Sequence, residues 1–196
     1  MVPEAAACLL ADGGLAILPT DTVYGIACAA GHVEACARLY ALKQRPPSQA
    51  TAIMAGSVGA LTGEVLPELD DRVAAICREL LPGPLTLIVP NPAGRFRHLC
   101  GDAPDRIGVR VPALPAAVAA LADAACALLI TSANERGGPD PAKLDEVPGA
   151  LRSASTFAVD GGRLAGMPSS VIDVTSAQPR VLRAGPGLER ALEALR

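Results

Sequence analysis

The sequence predicts an α/β protein with one mixed β-sheet and helices packed against it. Three observations carry that expectation. Apolar runs of strand length alternate with helix-period segments over most of the 196 residues. Turn-forming groups such as Gly13-Gly14 and Pro82-Gly83-Pro84 punctuate the alternation. No repeat and no linker long enough to divide the chain interrupts it, so residues 1–196 read as a single domain.

The elements follow in order. Residues 3–12 read as a short helix stopped by Gly13-Gly14, and 15–18 as a strand ending at Pro19. Segment 32–43 has helical spacing, with Val33, Cys36, Ala37 and Tyr40 on one face. Residues 51–54 are strand-like, and a helix over 68–81 ends before the proline-glycine-proline turn. The apolar runs 85–89 and 107–111 read as buried strands. A helix over 114–122 and a strand over 127–130 precede a polar, Gly/Pro-rich stretch at 131–141. Short strands at 157–159, 171–174 and 180–182 lead to a closing helix at 188–195. Loop 91–105, holding Arg95, Arg97 and His98, is the segment expected to be most mobile.

Composition narrows the function. Hydrophobic residues make up 51% and charged residues 19%, which is a globular balance rather than a disordered one. Tyr24, Tyr40, Phe96 and Phe157 are the only aromatic residues, too few for a stacking platform on single-stranded nucleic acid. The net charge of −3 argues against a domain-wide nucleic-acid footprint while leaving room for a local basic cavity. The six cysteines show no metal-ligand spacing and read as reduced thiols acting as small hydrophobes. The N-terminus lacks a basic signal-peptide region, and no apolar run reaches the roughly 20 residues of a membrane span, so a soluble cytoplasmic protein with no membrane partner is expected.

Polar residues collect at strand ends, where open α/β sheets place their ligands. Lys43 is one of only two lysines, and with Arg45 it forms a compact cationic hook before Pro46, suited to a polyphosphate or simply a solvated helix end. Thr20, Thr22 and Tyr24 follow the first strand and could orient a small polar ligand or bond their own turn. Arg110 lies inside an apolar strand, so it needs either a structural ion pair or an anionic ligand. Thr131-Ser132-Ala133-Asn134 is a strand-to-loop junction of hydroxyl and amide groups, readable as a helix N-cap or a ligand contact. Ser169-Ser170 and Arg183 form the last cluster.

No P-loop, zinc-binding helix or nucleophile-elbow motif is present, and neither His32 nor His98 has an evident Ser or Cys partner. What remains is cations, hydroxyls and one amide. That inventory suits nucleotidyl or phosphoryl transfer by positioning and charge stabilisation.

In this order and spacing the clusters resemble the YrdC/Sua5 family of L-threonylcarbamoyladenylate synthases. The matching pieces are LPTDTVYGIAC at 18–28, LYALKQRP at 39–46, LPGPLTLIVP at 81–90, IGVRVP at 107–112, TSAN at 131–134, SSVIDV at 169–174 and VLRAGP at 181–186. The resemblance implies a YrdC-like twisted α/β domain, its mixed sheet flanked by helices around a large basic cavity. It implies a nucleotidyltransferase that joins L-threonine, CO2 or bicarbonate and ATP, with Mg2+, into threonylcarbamoyl-AMP and pyrophosphate. The activated group would then pass to adenosine 37 of tRNA through a separate transferase complex, with at most a weak tRNA contact of its own. Carried over residue by residue, Lys43 and Arg45 are catalytic and hold ATP phosphates, with Asn134 and Arg183 also on the nucleotide. Thr22, Arg110, Ser132 and Ser169 contact threonine, Arg110 at its carboxylate.

The family commonly continues the hook with lysine, proline, leucine and then a histidine, where this chain has Gln49, Ala50, Thr51 and Met54. A phosphate contact and a threonine contact are therefore lost or supplied elsewhere. The short, single-domain form of the family is the one expected. The alternatives are an RNA-binding or ribosome-maturation module using the same cavity, and a carbamoyltransferase domain of the hydrogenase-maturing kind, whose zinc-finger and acylphosphatase modules this sequence lacks.

Overall fold

The strand-length apolar runs of this chain pair into one sheet whose two faces are unequally apolar. The computed structural model describes residues 12–123 and 127–196, so the helix expected over 3–12, and Cys8 and Cys126, lie outside the described residues. Nine strands are described: β1 (Ala16–Pro19), β2 (Tyr24–Ala29), β3 (Ile53–Met54), β4 (Leu85–Pro90), β5 (Arg106–Arg110), β6 (Leu128–Ser132), β7 (Phe157–Ala158), β8 (Ser170–Asp173) and β9 (Arg180–Arg183). They form one mixed sheet in the order β7-β1-β2-β6-β3-β5-β4-β8-β9. The expected mixed α/β architecture is therefore what the chain adopts.

On the first face, Leu85, Leu87 and Val89 of β4, Ile107 and Val109 of β5 and Ile172 of β8 join the main core. Their alternates on the second face are Thr86, Ile88, Gly108, Arg110 and Val171, and these line a cavity. Gly108 keeps that face low: a Cβ there would lie 3.1 Å from the Ala52 side chain. A smaller apolar cluster, including Leu18, Met54, Leu128, Ile130 and Phe157, covers the second face nearer β1.

Helices α1 (Val33–Leu42), α2 (Val58–Ala60, continuing into a π-turn at Leu61–Val65), α3 (Asp71–Leu80), α4 (Gly149–Ala154) and α5 (Leu188–Ala194) complete the described regular structure with three short 3₁₀ segments. Helix α3 starts later than residue 68 because the Asp70 side chain accepts the Val73 N–H at 2.7 Å and caps it there. Helix α1 buries Ala35, Cys36, Leu39 and Tyr40. Val33, expected on the buried face, is 52% exposed, because the ridge that meets the sheet runs through two i, i+4 pairs and leaves the first turn outside.

Other expectations need correction. Strand β2 falls where only a polar turn was read, since Gly25, Ala27, Cys28 and Ala29 carry little strand propensity. Its small residues serve close packing: a Cβ on Gly25 would meet the Ile130 side chain at 2.7 Å. Thr51 leaves the ladder and donates its N–H to Leu99, so β3 shrinks to two residues. Residues 114–122 form a 3₁₀ segment, Ala116–Asp123, rather than an α-helix. Helices α2 and α4 were not read from the sequence at all.

Loop 91–105 is knitted to the core rather than free. Buried Asn91 donates to the Arg95 and Pro104 carbonyls and accepts the Arg95 N–H, and Arg95 forks onto Glu68. None of its residues lines the cavities described below. Cys28, Cys36, Cys77 and Cys100 are free and buried. No helix among the described residues is long and apolar enough to cross a membrane.

Candidate active site

The hook at the end of α1 is a Schellman motif. Lys43 is the C-cap, Gln44 takes a left-handed φ of 50°, and the Arg45 and Gln44 N–H groups return to Tyr40 and Ala41. That reversal turns Lys43 and Arg45 toward the C-terminal end of β6. Lys43 is buried at 5% exposure, and its ammonium donates to the Ser132 carbonyl at 2.8 Å, to Asn134 Oδ1 at 2.7 Å and to the Asn134 carbonyl. The same Oδ1 accepts the Ser132 hydroxyl at 2.8 Å, while Asn134 Nδ2 donates to Gly138 at 2.7 Å. The Thr131–Asn134 junction therefore closes a turn and caps a lysine, and no helix follows it.

Three neutral oxygens and no carboxylate surround the Lys43 charge. Burial and the like charge of Arg45 pull its pKa down to about 8, against the opposing pull of Asp140. Arg45 donates to the Ala50 carbonyl at 2.9 Å and lies 5.9 Å from the Tyr40 ring centroid. Burial holds its pKa below the ordinary arginine value, as it does for Arg110.

Arg110 projects from β5 and is paired, at 2.8 Å, with Asp21. The structural ion pair considered from the sequence is thus present, with Asp21 also accepting the Ala113 N–H. Arg110 further donates to the Thr22 hydroxyl at 3.1 Å. Thr20 gives its own proton to the Val23 carbonyl, so Thr22 is the donor in their 2.9 Å contact. A relay therefore runs Arg110 to Thr22 to Thr20 to backbone. Ser169 is buried between Thr86, at 2.8 Å, and Arg183, whose Nη2 and Nε reach its hydroxyl and carbonyl at 3.1 and 2.9 Å.

These groups line two adjoining cavities. The first, about 300 Å³, has Arg45, Arg110, Ser132, Ser169 and Arg183 on its wall with one carboxylate, Asp140. The second, about 200 Å³, has Lys43, Arg45, Ser132, Asn134 and Arg136. Arg45, Thr131 and Ser132 belong to both. Thr22 lines neither and acts through Arg110. Arg183, read as a nucleotide residue, sits with Ser169 and Arg110 rather than with Lys43 and Asn134. Among the described residues, the buried side-chain polar atoms without a partner are Arg45 Nε and Arg110 Nε, both on residues of the first wall.

Four wall or support residues were not read from the sequence: Asp21, Thr86, Arg136 and Asp140. Thr86 had a signal, a hydroxyl at an alternate position of an apolar strand. Asp21 acquires meaning only once β5 is placed beside it.

An α/β sheet with one face open as a cavity, walled by more cations than carboxylates, has the chemistry of a site for an anionic small molecule. The sequence profile of the Sua5/YciO/YrdC family, described as "Telomere recombination", matches residues 8–185, and the chain belongs to this family. A Mycobacterium tuberculosis relative is 33% identical over 187 residues, covering 93% of this chain and 84% of its own. The threonylcarbamoyl-AMP synthase of Xanthomonas euvesicatoria is 32% identical over 180 residues, 89% of this chain and 94% of that protein. Pyrococcus abyssi Sua5 in complex with L-threonine superimposes with a TM-score of 0.84 at 31% identity, over 98% of this chain. The chain spans 56% of that longer protein. Escherichia coli YciO superimposes with a TM-score of 0.83 at 26% identity, covering 97% of this chain and 92% of that one.

Proposed function

We propose that this chain is a threonylcarbamoyl-AMP synthase whose two joined cavities hold L-threonine and ATP side by side. The observation that carries this reading is the gathering of Lys43, Arg45, Arg110 and Arg183 on the walls of two adjoining cavities whose linings hold one carboxylate, Asp140. Holding partly desolvated cations in excess of carboxylates is costly, and an anionic ligand offsets that cost. The synthase relatives, and the threonine in the Pyrococcus abyssi complex, support an amino acid and a nucleotide as the anions. They give no support to the RNA-binding alternative.

In this reading Arg110, on the wall of the first cavity, takes the threonine carboxylate while Asp21 fixes one arm of its fork. Thr22 holds the arginine in place, and Ser132 and Ser169 complete the threonine site. Lys43, Arg45 and Asn134 hold the nucleotide from the second cavity, and Arg183, beside Ser169 in the first, meets it from the threonine side. The neutral threonine amine attacks the carbon of CO2, forming a C–N bond and an anionic carbamate once its proton is lost. A carbamate oxygen then attacks the α-phosphorus, and the bond to the β-phosphate oxygen breaks to release pyrophosphate. Two anions must approach, and Lys43 and Arg45 are the catalytic residues that offset their repulsion and the charge building on the leaving group.

No group of three or more metal-ligating side chains among the described residues could hold a metal ion. Magnesium enters with the nucleotide as Mg-ATP. The product is a mixed anhydride, which a separate transferase delivers to adenosine 37 of tRNA.

The test is pyrophosphate release from Mg-ATP and bicarbonate with L-threonine, L-serine or no amino acid. Threonine-dependent release is expected. A folded protein that releases no pyrophosphate with threonine overturns the proposal.

A further inference from the structure

The second cavity carries a cation that neither the motifs nor the roles assigned above include. Arg136 follows the Thr131–Asn134 turn and lines this cavity together with the hook. Its Nη1 donates to the Gln44 carbonyl at 3.0 Å, the residue that reverses the chain between Lys43 and Arg45. Arg136 thus ties the loop after β6 to the hook itself. Three cationic side chains, Lys43, Arg45 and Arg136, share the wall, and none of them forms an ion pair among the described residues. The cavity's remaining lining is neutral, Gln49 included.

Three cations that touch no carboxylate, with Asp140 acting on Lys43 only from the adjoining wall, repel one another. Burial already keeps the Arg45 pKa low, and the like charge of Arg136 lowers it further. Such a cluster is relieved by a ligand carrying several negative charges on neighbouring atoms. A monoanion such as an amino-acid carboxylate would neutralise one of the three. A diphosphate presents charge along a chain of oxygens and can meet all three.

We infer that Arg136 is a third phosphate-binding residue, closing with Lys43 and Arg45 a subsite for the diphosphate that the reaction expels. This rests on the synthase reading for where the diphosphate originates, but the subsite is defined by its own charges. Arg136 positions as well as binds: with Nη1 on the Gln44 carbonyl, the other arm of its fork is left for the ligand, and the hook stays facing the cavity. Its conformation differs from Lys43 in one respect that matters for testing, since Arg136 is exposed and its removal leaves no buried group unpaired.

Titration calorimetry with inorganic pyrophosphate, AMP and L-threonine as separate probes tests the inference on the wild type, Arg136→Gln and Arg136→Lys. Pyrophosphate should bind the wild type, and Arg136→Gln should weaken it by about tenfold, the lower end for losing one charge-assisted hydrogen bond. Arg136→Lys should recover part of that loss, since it restores the charge without the fork. AMP and threonine affinities should stay level across all three proteins. Unchanged pyrophosphate affinity in Arg136→Gln overturns the inference, as does a wild type that binds threonine but no pyrophosphate. An equal loss for AMP also overturns it, because the contact would then lie at the α-phosphate. Threonine-dependent turnover of the wild type, run in parallel, shows separately whether the synthase reading stands.

Discussion

Lys43 and Asn134, 91 residues apart in the chain, meet through both oxygens of the asparagine: its Oδ1 accepts from the ammonium at 2.7 Å and its carbonyl accepts a second proton. With the Ser132 carbonyl, these contacts hold a buried cation by dipoles, with Asp140 acting on it only from a distance. Such a group is retained as a charge because neutral oxygens solvate it, yet no carboxylate touches it. It is therefore ready for an anion.

That arrangement sets a pH dependence. Lys43 is depressed from 10.5 to about 8 in the fold, so between those values the unfolded chain binds more protons and stability rises with pH. Phosphate binding has the opposite sign, since it needs the ammonium. The KM for ATP should rise as pH passes about 8, and Lys43→Arg should flatten the profile if it folds. Lys43→Ala should weaken ATP use by about 1.5–3 kcal/mol at neutral pH, read from kcat/KM.

Arg110 and Asp21 form a largely buried pair, with side chains 11% and 10% exposed. Removing only the carboxylate strands a desolvated guanidinium. Asp21→Ala should therefore cost about 3 kcal/mol in urea unfolding. Adding Arg110→Met should recover most of that loss while abolishing threonine binding in calorimetry. If the double variant is no more stable than Asp21→Ala, the pair is not what holds these residues.

Gln44 bears a left-handed φ of 50° at the turn of the hook. Glycine takes this conformation without the Cβ clash. Gln44→Gly should stabilise the protein by about 0.5–1 kcal/mol. The Gln44 carbonyl that Arg136 uses is unaltered, so the change should appear in thermal midpoint and leave ATP kinetics level.

Gly185 packs directly under the turn that presents Ser169. A Cβ there would lie 2.5 Å from the Pro168 carbonyl oxygen and 3.1 Å from Ser169 C and Ser170 N. Gly185→Ala must push that backbone away, at a cost of about 1–3 kcal/mol. Threonine affinity should fall with it, measured by calorimetry on the folded fraction.

Much of the site was legible in particular residues. Two lysines in the whole chain, one of them beside Arg45 and before a proline, marked the hook, and an arginine in the run Ile107–Val111 marked itself as needing a partner. Strand β2 and the short helices were not legible, because glycine, alanine and cysteine at those positions are chosen for close packing that local propensity does not record. The 91–105 loop misled for the reverse reason: its polar composition hides the buried Asn91 that ties it down.

By itself the sequence determined the class of fold, the positions of most strands and the inventory of cations and hydroxyls, since periodicity and residue chemistry are local properties. Only the tertiary structure decided that Arg110 faces the open side of the sheet and finds Asp21, 89 residues away. It also decided that Lys43 forms no ion pair among the described residues and that Arg136 joins it. Those facts depend on strand order and register across the sheet, which bring together residues whose separation along the chain carries no trace of their contact.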